Sequence, residues 1–359
     1  MLQQAGFSPL ARVLIVGAAA CIVAAFMRWA APILAPILLA LFITIVATPP
    51  LQWMRRKGLP KYLAVLIILL VLLDVGSLIA LTTTGALEAL QVGLPRYQER
   101  LVLLTDQLGG WLEGMGIDKS REALRDLISP AAASRFIYTT LTNASGVVTN
   151  GLLVLLIVAF MLAEASAMPQ RLRAAFPTTD DLEARLQRLL KAINRYMMIK
   201  LIMSLATAIC IWIWLRLIGI DYAAALAIGA FLLNFIPVVG NILMTVPAVL
   251  VALVQSDIPT ALFVVLGYAI VNLAIGNVLE PRLTGRELGI SSVLILVSLL
   301  FWGWVLGPVG LFLSVPLTMA VMEVLHASPG TRPLAILLGS AGEPQSAAET
   351  ENDASGAAP

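Results

Sequence analysis

Charge is scarce in this sequence: Asp, Glu, Lys and Arg make up 12% of its 359 residues, against roughly 25% in soluble domains. Hydrophobic residues supply 60% and the mean hydropathy is +0.94. That composition excludes a soluble globular class and points to a polytopic helical membrane protein. Histidine occurs once, at His326. A Ser–His–Asp relay therefore has little to work with, and the His-Glu-x-x-His zinc motif is excluded outright. No glycine-rich phosphate loop of the Lys-Ser/Thr kind is present, which speaks against ATP-driven pumping by this chain. Cys21 and Cys210 both fall inside apolar runs, so they are expected to be small buried hydrophobes rather than a disulfide. A net charge of +2 is too small to attract nucleic acid, and no basic run supports such a partner. The expectation is a protein that is no enzyme and carries no metal or cofactor.

What the chain does have is apolar runs, two of them unusually long. Tyr222 to Ser256 spans 35 residues and Ile290 to Met322 spans 33, both uncharged, whereas one helical crossing takes about 20. Each run carries breakers near its middle: Asn234-Phe-Ile-Pro237-Val-Val-Gly240-Asn241 in the first, Gly303 and Gly307-Pro308-Val-Gly310 in the second. Proline lacks the N–H that continues a helix, and glycine tolerates unusual backbone angles. Each run is therefore read as a helix–break–helix hairpin whose tip lies within the membrane. Irregular backbone at that depth survives only if buried in protein or lining a polar cavity. Paired interrupted segments point to a transporter's binding site.

In chain order, residues 1–84 supply three membrane helices. The first two, over Val13–Met27 and Trp29–Thr48, are expected to form a tight hairpin. Pro49 to Lys61 carries Arg55, Arg56, Lys57 and Lys61 with no acidic residue, the mark of a cytoplasmic loop. It places the N-terminus, two crossings earlier, in the cytoplasm as well. Residues 85–145 form a polar helical excursion on the outer side. There Leu87, Leu90, Leu94, Tyr97, Leu101, Leu104 and Leu108 follow a heptad seam interrupted by Pro95. Residues 146–200 hold a fourth span and a stretch with Leu182, Leu186, Leu189, Leu190, Ile193 and Met197 on one face. That stretch is read as an amphipathic helix lying along the inner membrane surface. Residues 201–327 carry the fifth span, both hairpins and the helix between them, and 328–359 form a cytoplasmic tail. The fold class is all-α and polytopic, with about eight membrane segments.

Three stretches carry a resemblance: Asn-Phe-Ile-Pro-Val-Val-Gly at 234–240, Asn277-Val-Leu-Glu-Pro-Arg-Leu-Thr-Gly-Arg-Glu-Leu-Gly-Ile-Ser291, and Phe301-Trp-Gly-Trp-Val-Leu-Gly-Pro-Val-Gly-Leu-Phe-Leu-Ser-Val-Pro316. In sequence and order they are similar to the AI-2E (autoinducer-2 exporter) family, over roughly residues 10–330. The resemblance implies a bacterial inner-membrane transporter that assembles as a homo-oligomer, a pentamer. It also implies a cargo such as the signal autoinducer-2, or sodium exchanged for protons.

On this reading Pro237, Gly240, Gly307, Pro308 and Gly310 shape the hairpin tips, leaving backbone groups free to meet a polar solute. Asn234 and Asn241 flank the first tip, and Asn272 and Asn277 lie on the helix between the hairpins. An amide in hydrocarbon costs a few kcal/mol unless paired, so four of them suggest a shared polar interior; interhelical glue is the plainer alternative. Glu280, Arg282, Arg286 and Glu287 are gating candidates at the cytoplasmic end of the penultimate helix, with a solvated loop as the alternative. Asp74 is the acidic residue well inside a span, a candidate for proton or sodium coupling. Three functions remain open at this point: export of a small polar solute, Na+/H+ antiport, and a membrane scaffold without transport.

Overall fold

The structure is a computed structural model that describes residues 9–82, 151–165, 180–237, 239–284 and 291–327, with the isolated positions 103, 110, 113, 114 and 331. Every element among them is helical. In order they are α1 (Pro9–Trp29), α2 (Ala31–Arg56), α3 (Lys61–Thr82), α4 (Gly151–Ala165), α5 (Asp180–Ile218), α6 (Ala223–Leu233) and α7 (Val239–Gln255). Then come α8 (Ile258–Val271, running on through Asn272–Leu279 to Glu280–Thr284), α9 (Ser292–Leu306) and α10 (Pro308–Ala327). Five stretches are long and apolar enough to cross a membrane: Ala31–Arg56, Lys61–Thr82, Leu186–Ile218, Ile258–Leu283 and Pro308–His326. The heptad seam of the 85–145 excursion and the tail beyond 331 lie outside the described residues, as do Arg286 and Glu287.

Two compact units divide these helices. One holds α1, the start of α5 up to Met197, α9 and α10; the other holds α2 from Pro36, α3, α4, α5 from Met198, α6, α7 and α8 up to Glu280. The first long run thus belongs to the second unit and the second run to the first.

Within the larger unit, α2, α3 and α4 pack through Ala40, Ala47, Leu51, Ala64, Val65, Ile68, Val154, Val158 and Leu162. Small residues on α2 let the helices approach closely, as expected where lipid removes the usual hydrophobic drive. A second core joins α5 to α6, α7 and α8 through Leu215, Leu226, Ala230, Met244, Ala248, Val264 and Tyr268. The base of the first hairpin is tied by one side chain: Gln255 Nε2 donates to Gly219 O at 2.9 Å, and Asp221 N donates to Gln255 Oε1 at 2.8 Å. Entry to α6 and exit from α7 are thereby held together. With 11 residues, α6 rises only about 17 Å, little more than half of the ~30 Å hydrocarbon core.

The second run also breaks, at Gly307 (φ 65°, ψ −144°), a backbone region closed to side chains with a Cβ. Trp302 Nε1 then bonds Thr318 Oγ1 at 3.1 Å, pinning α9 to α10. In the same unit Arg28, at the end of α1, lies over the Trp304 ring at 4.6 Å, a cation–π contact.

Several expectations are corrected. Gly303 is not a breaker: it lies inside α9, and a Cβ there would come within 2.5 Å of Leu311 Cδ2, so its smallness serves close packing. Residues 180–200 do not form a separate surface helix; they continue into the fifth span as one helix of 39 residues. Their amphipathic pattern describes the part of a long helix outside the apolar stretch, and nothing in it stops the helix. No reversing loop separates α1 from α2, because the backbone ladder runs through Ala30 (Ala30 N to Phe26 O, Leu34 N to Ala30 O, both 2.9 Å). α2 likewise continues past Pro49 and Pro50 to Arg56, and the loop proper is the short turn at Gly58 (φ 93°). Cys21 and Cys210 are exposed. An apolar run in a membrane protein has lipid-facing positions as well as core ones, so an apolar neighbourhood does not imply burial.

Candidate functional site

The site is built from the middle of α5 upward. Lys200, Ser204 and Thr207 are buried polar residues on that helix, spaced at i, i+4 and i+7, and so share one face. α6 ends at Asn234, whose backbone N–H still reaches Ala230 O while the chain turns away. The Asn234 side chain is almost fully buried, and its Nδ2 donates to Ser204 Oγ at 3.0 Å. Pro237 follows, half-buried, and Val239 N reaches back to Pro237 O at 2.6 Å as α7 begins. Gly240 completes the tip. A Cβ added there would lie 1.7 Å from Leu233 O, so the returning helix rests on the last carbonyl of the helix before it. The second run uses the same device: a Cβ on Gly310 would lie 1.9 Å from Trp302 O. Pro308 is exposed and Gly307 half-buried beside it.

Below the tip, α8 changes character. From Asn272 to Leu279 it is a π-helix, ending at Glu280. Such wide turns are short, marginal and frequent at functional positions. Glu280 Oε1 accepts from Lys200 Nζ at 2.7 Å, with 6% of the lysine and 20% of the glutamate side chain exposed. Ser204, which holds the tip, lies one turn from Lys200 on the same face of α5, about 6 Å along its axis. One helix face therefore touches both the hairpin break and the end of the π-helix.

The predicted residues divide accordingly. Asn234, Pro237 and Gly240 come together at the first tip. Glu280 is brought to α5, where it pairs with a lysine. Asn272 is half-buried at the start of the π-helix, whereas Asn277 is exposed. The side chain of Asn241 lies outside the described residues. Arg282 and Asp74 are exposed on the surface of the chain. Sequence reasoning missed Lys200, Ser204 and Thr207. It counted Lys200 among the cytoplasmic charges and read the following run as uniformly apolar. The signal was there in the helical spacing of three polar residues along a membrane span.

The Asn234–Ser204 contact makes a direct prediction. Ser204→Ala leaves a buried amide without its partner and should cost about 1–3 kcal/mol, while replacing both partners with apolar residues of similar shape is nearly neutral. Thermal unfolding in detergent should rank Ser204→Ala below the Ser204→Ala/Asn234→Leu double variant. The reverse order would mean that the amide is already satisfied elsewhere.

A bundle of membrane helices with a broken hairpin, a buried amide at the break and an intramembrane ion pair beside it is the framework of a membrane transporter. The AI-2E family transporter profile matches residues 14–330, and the chain belongs to that family. It is 36% identical over 311 residues to the AI-2 transport protein TqsA of Escherichia coli K12, covering 87% of this chain and 90% of that protein. A putative transport protein of Haemophilus influenzae is 36% identical over 329 residues, covering 90% and 94% of the two chains. The putative transport protein YhhT of Escherichia coli K12 is 34% identical over 318 residues, covering 88% and 90%. The protein is a multi-pass membrane transporter, not an enzyme.

Proposed function

We propose that this protein is a secondary-active exporter of a small polar solute of the autoinducer-2 kind, working by alternating access in the bacterial inner membrane. The observation that carries the reading is the buried Asn234 amide held by Ser204 where α6 breaks. Breaks of this kind free backbone N–H and C=O groups to meet a polar cargo within the bilayer. The choice of cargo is supported by the relative named for AI-2 transport. The basic turn from Arg55 to Lys61 supports cytoplasmic N- and C-termini. Family resemblance supports a homo-oligomer, a pentamer, and protons or sodium would supply the driving gradient.

The test is flux in proteoliposomes containing this protein alone, with autoinducer-2 and sodium assayed in parallel and a proton gradient imposed or omitted. The Ser204→Ala/Asn234→Leu variant, expected to stay folded, is the control. Autoinducer-2 movement lost in that variant is the expected result. Sodium movement alone, tied to the proton gradient, would replace this reading with antiport. Equal autoinducer-2 flux in both proteins would remove the first hairpin tip from the path.

A further inference from the structure

Lys200 is the feature that the reading above does not use. A charged side chain within a membrane span is retained for a reason, since it is costly there and its natural partner must be found nearby. Stability is a weak reason: replacing a buried ion pair by well-packed apolar residues is often neutral or stabilising. The two members of this pair are also unlike. Lys200 is carried by the uninterrupted helix α5 and its ammonium is nearly sealed, whereas Glu280 is the more exposed partner and sits at the junction where the π-helix ends. The lysine is the fixed group. The carboxylate lies on the open side of the pair, on a segment whose register can change.

We propose that Lys200 is an anion-recognition residue that Glu280 masks at rest, and that a small oxyanion displaces the carboxylate to bind the ammonium. The displacing group has to be negative. An ammonium this deep that exchanged a carboxylate for neutral ligands would lose its counter-charge, whereas an oxyanion preserves both the charge balance and the charge-assisted hydrogen bond. Carboxylate, phosphate and acidic ester oxygens all meet this requirement, and a lysine binds such groups as a compact point charge. A return of the π-helix to ordinary α-helical spacing would turn Glu280 away about the helix axis and open the way to Lys200. Ser204 stands one turn along the same face, so a bound anion would lie beside the hairpin tip. The inference deepens the proposed transport function by giving a chemical class to the solute.

The test does not use the transported solute, so failure of autoinducer-2 flux leaves it decisive. Thermal unfolding of the purified full chain is followed in detergent with sodium phosphate, against sodium chloride at matched ionic strength. Glu280→Gln unmasks the lysine at almost constant shape, and should lower the phosphate concentration needed for half-maximal stabilisation by about tenfold relative to the unaltered protein. Adding Lys200→Met should abolish that gain, and adding Lys200→Arg should retain it. Should Glu280→Gln fail to fold, Glu280→Asp, which shortens the carboxylate and loosens the pair, should give a smaller shift in the same direction. Equal phosphate responses in all variants would overturn the proposal, as would a gain that survives Lys200→Met. A selective gain for sodium over potassium in the unaltered protein, lost in Glu280→Gln, would overturn it in favour of a cation site on the carboxylate.

Discussion

Gly240→Ala should disable the protein although it adds a single methyl group. The new Cβ would stand 1.7 Å from Leu233 O and 2.6 Å from Leu233 C. The obstacle is backbone rather than the end of a flexible side chain, so α7 must shift or tilt away from α6. Overpacking of this kind typically costs about 1–3 kcal/mol, and more where nothing nearby can give. Little around this tip can give. Gln255 ties the base of the hairpin at its other end, Met244 lies against Gly229 one turn further along α7, and Asn234 is anchored to Ser204. We expect a loss of about 3 kcal/mol in thermal unfolding, together with loss of transport. Gly229→Ala is the control, because its Cβ would meet the end of the Met244 side chain at 2.6 Å, and a thioether chain can swing aside. A Gly240→Ala protein as stable as Gly229→Ala would mean that the two helices at this tip are not in backbone contact.

Removing one charge from the buried pair should do more harm than removing both. Lys200→Met leaves Glu280 without its counter-ion, and breaking a buried pair in this way typically costs about 3–5 kcal/mol. The glutamate keeps 20% of its side-chain exposure, so water recovers part of that loss and about 3 kcal/mol is the expected value. The Lys200→Met/Glu280→Leu double variant removes the unpaired charge as well and should regain most of the stability. The coupling between the two changes, read from unfolding midpoints in detergent, is the quantity to measure. Additive losses would show that the 2.7 Å contact contributes nothing specific. The double variant also separates stability from transport: it should be folded and inactive.

Both predictions rest on contacts between residues distant in sequence, which is where sequence reasoning reaches its limit. The breaks themselves were legible. Asn234 to Gly240 interrupts one apolar run and Gly307 the other, because proline and glycine act on the backbone locally and need no neighbour to do so. Gly303 was read as a third breaker by the same rule and is not one. Whether a glycine ends a helix or admits a close neighbour depends on what packs against it, here Leu311. The π-helix over Asn272–Leu279 went unseen, since its residues are as apolar as those of the helix before it. The pairing of Glu280 was sought among its own sequence neighbours Arg282, Arg286 and Glu287, but its partner lies 80 residues earlier, on α5.

The sequence by itself determined the class of the protein, its helical and polytopic character, the position of both breaks and its family. Each of these follows from composition, the length of apolar runs and the local chemistry of proline and glycine, all of which act within about one helical span of chain. The tertiary structure decided that Asn234 is bound to Ser204 and Lys200 to Glu280, that Asn277 and Asp74 lie at the surface, and that both cysteines are exposed. The physical reason is the solvent. In a bilayer the core-facing and lipid-facing sides of a helix are equally apolar, so hydrophobicity cannot say which side is buried, and the packing of one helix on another has to choose.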